Sequence, residues 1–355
     1  MKTSNKIKII DLFAGIGGIR LGFEIASKNN IECVFTSEWN KYSVATYTAN
    51  FNDLVVHGDI TKINEQLIPE HDILLAGFPC QPFSQAGLKK GFSDTRGTLF
   101  FDIERILIAK KPQAILLENV KQLKGHDKGK TLATIIKHLK IIGYENIHYQ
   151  VLKAKEFGLP QNRERIYIVG FLDNSIKFEF PKPTNEPIKV GNILEKKVES
   201  KFTISDKLWQ GHQRRKIENK LNGKGFGFGI VNENSEYTNT ISARYYKDGS
   251  EILIEQKDKN PRKLTPREAA RLQGFPDSFR IPVSDNQAYQ QFGNSVPVKV
   301  VEKVAEQMLK HIKTSGEKNA LRPTWGLAKV GLEVVSMGSS THPSFGSGLT
   351  SIAEH

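Results

Sequence analysis

The chain has 355 residues, of which 38% are hydrophobic and 25% are charged, a composition typical of globular proteins that excludes a fibrous or wholly disordered chain. Lys and Arg outnumber Asp and Glu by 51 to 38, which gives a formal net charge of +13. This excess favours a polyanionic partner, because cations on a protein displace the counterions condensed on phosphates; a basic surface that only maintains solubility is the alternative.

The start of the chain predicts a strand and not a targeting signal. Polar residues 1–6 lead directly into the apolar run 7–13, without the apolar core and cleavage site of a signal peptide. No stretch of the sequence is apolar enough, over a sufficient length, to span a bilayer, so we expect no membrane partner. Cys33 and Cys80 are too few for a disulfide framework and fit a reducing compartment. We therefore expect a cytoplasmic protein.

Up to about residue 172, short apolar runs alternate with segments of helical period. The apolar runs, rich in Ile, Val and Leu, predict strands at residues 7–13, 32–37, 72–76, 114–117 and 165–171. Helices are predicted at residues 18–27, 41–50, 99–109 and 130–142. This alternation predicts a parallel sheet covered by helices on both faces, with right-handed connections. A ligand should then bind at the carboxyl ends of the strands, where the strand order reverses.

The pattern changes in the second half of the chain. After a first domain at residues 1–190, the charged, Gly-rich and Asn-rich segment 191–284 predicts a smaller domain. Residues 285–313 are predicted to return to the first domain, because apolar residues recur on one helical face there. These residues are Val301, Val304, Ala305, Met308 and Ile312. The tail at residues 314–355, rich in Gly, Ser and Thr, is expected to be flexible or foreign.

A glycine-rich turn at residues 11–18 follows the first predicted strand and opens the first helix. Glycines there permit a tight turn and close approach of the backbone to a ligand, and Glu38 stands where an acid can bind a ribose diol. Trp39 offers a flat face to a purine, and Asp59 ends the next predicted strand. A nicotinamide dinucleotide satisfies this pattern as well, and glycines that merely end a strand are the other alternative.

A second motif, at residues 77–84, places Cys80 just past a strand on a loop held by two prolines. A nucleophile in that position is accessible and fixed in geometry. A free cysteine has a pKa near about 8.5, so an electropositive site would provide enough thiolate at neutral pH. The alternative is a small buried residue, which is how we interpret Cys33 within its predicted strand.

Two further motifs bring a carboxyl and two arginines to the same region. Glu118 follows the predicted strand 114–117, and a carboxyl in such a crevice should have a raised pKa and could act as an acid. In the motif at residues 161–165, Arg163 and Arg165 alternate on one face of a strand, where they could bind phosphate or brace the carboxylate. Ordinary surface ion pairs are the alternative.

Taken in order, six segments between residue 7 and about residue 312 resemble the cytosine-C5 DNA methyltransferases. They are residues 11–18, 79–81, 118–120, 161–165, 264–276 and 293–296. The resemblance implies an α/β fold with a doubly wound, mostly parallel, Rossmann-like sheet and a smaller, irregular target-recognition domain. It also implies S-adenosyl-L-methionine as cofactor, double-stranded DNA as substrate and a monomeric enzyme that is functionally paired with a restriction endonuclease.

The resemblance also assigns roles in catalysis. Cys80 would add to C6 of a flipped cytosine and so make C5 nucleophilic, while Glu118 would protonate or hydrogen-bond N3. Arg163 and Arg165 would hold Glu118 and the flipped nucleotide. After methyl transfer the C5 proton would leave, and elimination would free Cys80.

The resemblance further implies two sets of binding residues. The cofactor pocket would comprise Phe13, Gly15, Gly17, Gly18, Glu38, Trp39, Asp59, Ile60, Phe78, Pro79, Leu99, Asn294 and Ser295. DNA contacts are expected from Gln81, Ser84, Arg96, Arg214, Arg215, Thr240, Arg244 and Tyr245. Within the second set, Arg244 is the first choice for a guanine contact, and the loop at residues 84–98 is expected to close over DNA.

Two other functions are weighed against a prokaryotic DNA methyltransferase. A methyltransferase of tRNA cytosine is disfavoured by the basic, Gly-rich recognition segment and by the absence of a Cys-Phe-Thr motif. A catalytically idle DNA-binding protein is disfavoured because Cys80, Glu118 and both arginines are intact.

Overall fold

The computed structural model describes residues 6–51, 55–79, 99–225 and 227–314. Within them, seven strands form one sheet in the order β3-β2-β1-β4-β5-β7-β6. The strands are β1 (Ile7–Leu12), β2 (Ile31–Ser37), β3 (Val56–His57), β4 (Ile73–Gly77), β5 (Ala114–Val120), β6 (Asn146–Lys153) and β7 (Glu164–Phe171). The chain runs outward from β1 to β3 and returns on the other side of β1 at β4, so the strand order reverses between β1 and β4 as predicted.

The described residues form eight α-helices: α1 (Gly18–Ala26), α2 (Lys41–Asn50), α3 (Phe100–Lys110), α4 (Lys130–Ile142), α5 (Asp206–Leu221), α6 (Pro266–Leu272), α7 (Asp285–Asn294) and α8 (Val298–Leu309). Four of them, α1, α3, α4 and α8, cover the two faces of the sheet. One apolar cluster joins α1 and α8 to one face of the sheet, and a second joins α3 and α4 to the other. The C-terminal helix α8 therefore packs against α1 and the sheet.

The central strands form where the sequence is continuously apolar. Strand β4 is the clearest case, since its first four side chains are fully buried between the two helical layers. Buried parallel strands carry such unbroken apolar runs because neither face meets water. The fold class predicted from the alternation of strands and helices is confirmed.

One edge of the sheet departs from the predicted parallel arrangement. Strand β7 pairs antiparallel with both β5 and β6. The chain passes from β6 to β7 through a short connection at residues 154–163, without the crossover helix that a parallel pair requires. Strand β6 was not predicted, because most of its side chains are half-buried or exposed and give no apolar run.

The segment 191–284 contains little regular structure: α5, α6 and the two-residue strands β8 (Ile230–Val231) and β9 (Leu253–Ile254). Its apolar side chains form a third cluster, which also includes Ile16, Tyr47 and Phe51 from the first lobe. The segment thus packs against α1 and α2. Of the predicted tail, only Thr314 lies within the described residues.

Across the described ranges, none of the helices combines the length and apolar character needed to cross a membrane.

Candidate active site

A cleft of about 740 Å³ opens at the carboxyl ends of β1, β2, β4 and β5, where the strand order reverses. The expected cofactor residues other than Gly17 all line it: Phe13, Gly15, Gly18, Glu38, Trp39, Asp59, Ile60, Phe78, Pro79, Leu99, Asn294 and Ser295. Glu118 and Arg165 line the same cleft. The structure therefore brings the glycine turn and the candidate acid into one site.

The turn between β1 and α1 depends on its glycines. Gly15 and Gly17 have φ values of +55° and +82°, a left-handed conformation that favours glycine. A Cβ on Gly17 would lie 2.2 Å from the Phe51 ring, and one on Gly18 would lie 2.8 Å from Ser295 Oγ. Gly17 is thus needed for packing behind the turn, while Gly15 and Gly18 let the backbone form the cleft wall.

Two acids and an aromatic side chain also line the cleft. Glu38 accepts hydrogen bonds from the backbone N–H of Gly15 at 2.9 Å and of Asn40 at 2.7 Å, which fix its carboxylate. Asp59 accepts from the N–H and the hydroxyl of Thr61. Trp39 remains 80% exposed beside them, so its ring face is available to a ligand.

Glu118 lies near the end of β5 and is only 8% exposed. Its Oε1 is 3.2 Å from Arg165 Nε, and its Oε2 faces Gly77, where an added Cβ would lie 3.5 Å away. Burial raises the pKa of Glu118, while the charges of Arg165 and Arg163 oppose the rise. A carboxyl with a raised pKa retains its proton to higher pH and is suited to act as an acid.

Asn119 is a site residue that the sequence reasoning missed. Its buried amide donates to the carbonyl of Phe78 at 2.9 Å, which fixes the backbone just before Cys80. An amide that directly follows the candidate acid was the available signal. Four predicted site residues lie outside the described residues: Cys80, Gln81, Ser84 and Arg96. The loop at residues 84–98, which was expected to close over DNA, also lies outside them.

The two arginines of the 161–165 motif have different partners. Arg165 pairs with Glu118 as predicted. Arg163 instead donates hydrogen bonds to the backbone carbonyls of Ile241, Gly293 and Ser295. The hydrogen bonds of Arg163 therefore go to backbone carbonyls, while its charge still lowers the pKa of Glu118. That Arg163 holds Glu118 and the flipped nucleotide stays a prediction.

The predicted DNA contacts in the 191–284 segment divide into exposed and buried side chains. Arg214 and Arg244 are exposed, and Arg215 is exposed while paired with Asp248 at 3.0 Å. The hydroxyl of Thr240 donates to the carbonyl of Asn162.

Tyr245 is fully buried in the third apolar cluster. Its hydroxyl donates to the Ile252 carbonyl and accepts from the Leu264 N–H, each at 2.7 Å. The prediction that Tyr245 contacts DNA is wrong, because the ring is packed inside and both bonding directions of its hydroxyl are used.

The doubly wound sheet and the cleft at its switch point are typical of α/β proteins that bind a ligand at the carboxyl ends of the strands. A family model described as C-5 cytosine-specific DNA methylase matches residues 7–310. The chain is 69% identical over 301 residues to the Type II methyltransferase M.NlaX of Neisseria lactamica, covering 85% of this chain and 96% of that protein. It is 63% identical over 318 residues to the Type II methyltransferase M1.ScrFI of Lactococcus lactis subsp. cremoris, covering 88% and 81%.

Its fold is similar to the crystal structure of the S. pombe Dnmt2 methyltransferase, with a TM-score of 0.71 at 22% identity over 86% of this chain and 99% of that chain. The chain therefore belongs to the C-5 cytosine-specific DNA methylase family. The enzyme class predicted from its six motifs is confirmed.

Proposed function

We propose that this enzyme transfers a methyl group from S-adenosyl-L-methionine to C5 of a flipped cytosine within a short, specific double-stranded DNA sequence. The observation that carries the proposal is the buried Glu118, held by Arg165 in the wall of the cleft that also contains the glycine turn. An acid in this position lies beside the backbone that leads into Cys80, the proposed nucleophile.

The cleft suits the proposed cofactor. Trp39 presents an exposed ring for an adenine, and the carboxylate of Glu38 is fixed where it can accept hydrogen bonds from a ribose diol. The left-handed turn at Gly15 lets the backbone approach the amino-acid part of the ligand. S-adenosyl-L-methionine, when bound there, would supply an electrophilic methyl group; its bond from sulfur to the methyl group would break and S-adenosylhomocysteine would leave.

Three residues of the chain take part in the proposed reaction: Cys80, Glu118 and Arg165. The Cys80 thiolate forms a bond to C6 of the cytosine while the Glu118 carboxyl gives its proton to N3, so C5 becomes an enamine carbon and forms the bond to the methyl group. The C5 proton then leaves to solvent, the bond between C6 and Cys80 breaks, and the N3 proton returns to Glu118. Arg165 keeps the Glu118 carboxyl at the cleft wall throughout.

The target base must leave the duplex, because a stacked and paired cytosine cannot present its C6 atom to the thiol of an enzyme. Exposed cations on α5 and at Arg244 are suited to contact DNA phosphates and bases. The Type II names of the relatives support a pairing with a restriction endonuclease, whose cleavage the methyl group would block. We propose a monomer acting in the bacterial cytoplasm.

The test measures transfer of labelled methyl from S-adenosyl-L-methionine to unmethylated double-stranded DNA and, in parallel, to tRNA. The wild type is expected to label DNA as 5-methylcytosine, and Cys80→Ser is expected to reduce the label to background. Cys33→Ser is the matched control, because Cys33 is buried in β2 and burial raises the pKa of its thiol to about 11.

Label found only in tRNA, or label that survives Cys80→Ser, would reject the proposal. Loss of activity in Cys33→Ser to the same extent would show that the effect of Cys80→Ser is not specific to the nucleophile.

A further inference from the structure

Ile241 is held on both sides by residues of the 161–165 motif. Its N–H donates to Gln161 Oε1 at 3.0 Å, and its carbonyl accepts from Arg163 Nη1 at 3.0 Å. Ile241 itself is fully buried and leads directly to the exposed Arg244, the proposed base-reading residue. The backbone at the start of the DNA-facing segment 241–244 is therefore fixed by two buried side chains.

The same arginine also holds the backbone that lines the cleft. Arg163 Nη2 donates to the carbonyls of Gly293 and Ser295, on either side of Asn294. Asn294 and Ser295 both face the proposed cofactor cleft. One guanidinium thus bonds to the DNA-facing segment through Nη1 and to the cleft wall through Nη2.

The two backbone segments also touch each other directly. A Cβ on Gly293 would lie 2.3 Å from the carbonyl carbon and oxygen of Ser242, so no side chain fits between them. Gln273 braces the contact, because its Nε2 donates to the Phe292 carbonyl at 2.6 Å while its Oε1 accepts from Gln161 at 3.3 Å. A displacement of Ser242 must therefore be transmitted to the backbone at Gly293.

The arrangement requires an arginine and not simply a positive charge. A guanidinium is planar and presents several N–H donors in a fixed fork, whereas a lysine ammonium is a single point with a flexible stem. Arg163 is 1% exposed, and among the described residues its hydrogen-bond acceptors are carbonyls. A lysine at this position would keep the charge but could not span both segments with the same geometry.

We propose that Arg163 is a positioning residue that couples DNA binding at residues 241–244 to cofactor binding at residues 294–295. Because coupling between two sites is reciprocal, DNA bound at the first should strengthen binding at the second, and the reverse. This inference rests on the proposed function, which supplies both ligands. It differs from a role in catalysis, since Arg163 would act on backbone carbonyls and not on the reacting base.

The test is equilibrium dialysis of labelled S-adenosylhomocysteine, which cannot react, with and without plasmid DNA from a host that lacks cytosine methylation. In the wild type, DNA is expected to lower the Kd of S-adenosylhomocysteine by roughly 5–150-fold, the usual range for coupled sites. In Arg163→Lys the decrease in Kd caused by DNA should be less than about 2-fold, whether or not the Kd without DNA also rises because the cleft wall has lost its bonds to Arg163. A purely structural role would weaken binding equally in both conditions.

Arg267→Lys is the matched control, because Arg267 also donates to two backbone carbonyls, those of Pro276 and Phe279, and does not line the cleft. It should retain the wild-type factor. If Arg163→Lys does not fold, Gln161→Met tests the same contact with Ile241, and it should also lose the decrease in Kd that DNA causes.

Three results would overturn the inference: no effect of DNA in the wild type, an unchanged factor in Arg163→Lys, or an equal loss in Arg267→Lys. If Arg163→Lys does not fold, an unchanged factor in Gln161→Met would overturn it too. A wild type that binds no S-adenosylhomocysteine with or without DNA would instead overturn the proposed cofactor, and the coupling with it.

Discussion

The seven-stranded sheet with the helices on its two faces, here called the sheet lobe, and the 191–284 segment are stabilised in different ways. In the lobe, ladders of backbone hydrogen bonds join parallel strands, and continuous aliphatic side chains fill both faces. In the segment, short elements are joined by the third apolar cluster and by individual polar contacts such as the buried pair Arg262–Glu268. The lobe can therefore hold the Glu118 carboxyl rigidly, whereas the segment depends more on side-chain contacts than on backbone ladders for its form.

The largest expected effect concerns the acid of the lobe. Glu118→Gln preserves the shape of the side chain but removes the transferable proton, so methyl transfer should fall about 10²–10⁴-fold while DNA binding is retained. Because burial raises the pKa of Glu118, the wild-type rate that depends on the protonated carboxyl should fall as pH rises through that pKa. The Glu118→Gln variant should lack this fall.

Labelled methyl transfer across a pH series measures both effects. Glu164→Gln is the control, since Glu164 is a neighbouring acid on β7 whose carboxylate pairs with Lys121 and not with the arginines. A rate for Glu118→Gln within a few-fold of the wild type would remove Glu118 from the mechanism.

The next largest effect should be a loss of stability in the 191–284 segment. Arg262 donates to both carboxylate oxygens of Glu268 at 2.7 and 2.8 Å, and Glu268 is fully buried. Arg262→Met leaves that charge without its partner and should lower the free energy of unfolding by about 3–5 kcal/mol.

Urea unfolding measures the change, with Arg271→Met as control. Arg271 forms a similar two-point pair with Asp277, but Asp277 is exposed, so the loss of this pair should lower the stability much less than the loss of Arg262. Equal losses in the two variants would mean that burial of the pair does not set its importance.

A smaller effect on stability should come from Asp11 in the sheet lobe, and this effect should depend on pH. Asp11 is fully buried in β1, and burial, opposed by Arg20, raises its pKa to about 7. The native state then holds a proton that the unfolded chain releases, so this group lowers stability by up to about 1.4 kcal/mol per pH unit as pH rises from 5 to 7. Asp11→Asn should remove that slope.

Urea midpoints at pH 5, 6 and 7 provide the measurement. Asp277→Asn should leave the slope unchanged, because the hydrogen bond from Arg271 lowers the pKa of Asp277 and its contribution is lost only at more acidic pH. A wild-type slope that persists in Asp11→Asn would assign the pH dependence to another group.

The smallest effect on stability should come from an exposed side chain, that of Trp39, whose replacement should instead weaken ligand binding. Trp39 is 80% exposed at the cleft, so Trp39→Ala should leave the unfolding midpoint unchanged. Loss of a stacking face should weaken binding of S-adenosylhomocysteine by about 1–3 kcal/mol, measured by dialysis. Tyr42→Ala is the control, since Tyr42 is an exposed aromatic residue outside the cleft, and equal weakening there would contradict a stacking role for Trp39.

Much of the lobe was predictable because its signals are local. Buried central strands carry apolar runs, so β4 and the first four residues of β5 could be located from sequence, and Glu118 could be placed near a strand end. Strand β6 escaped prediction because its half-exposed side chains alternate irregularly. Its position follows from pairing with β7, which the local sequence does not encode.

The sequence by itself determined the glycine turn and the strands and helices of the lobe other than β6, because their signals are local along the chain. It determined the family through six motifs in a fixed order. Only the tertiary structure decided that Tyr245 is buried and that Arg163 bonds to carbonyls. The partners of Arg163 are 78 to 132 residues away in sequence, so folding alone brings them together. Arg163 and Arg165 belong to one motif and carry the same side chain, yet they bond to different partners because different segments pack around them.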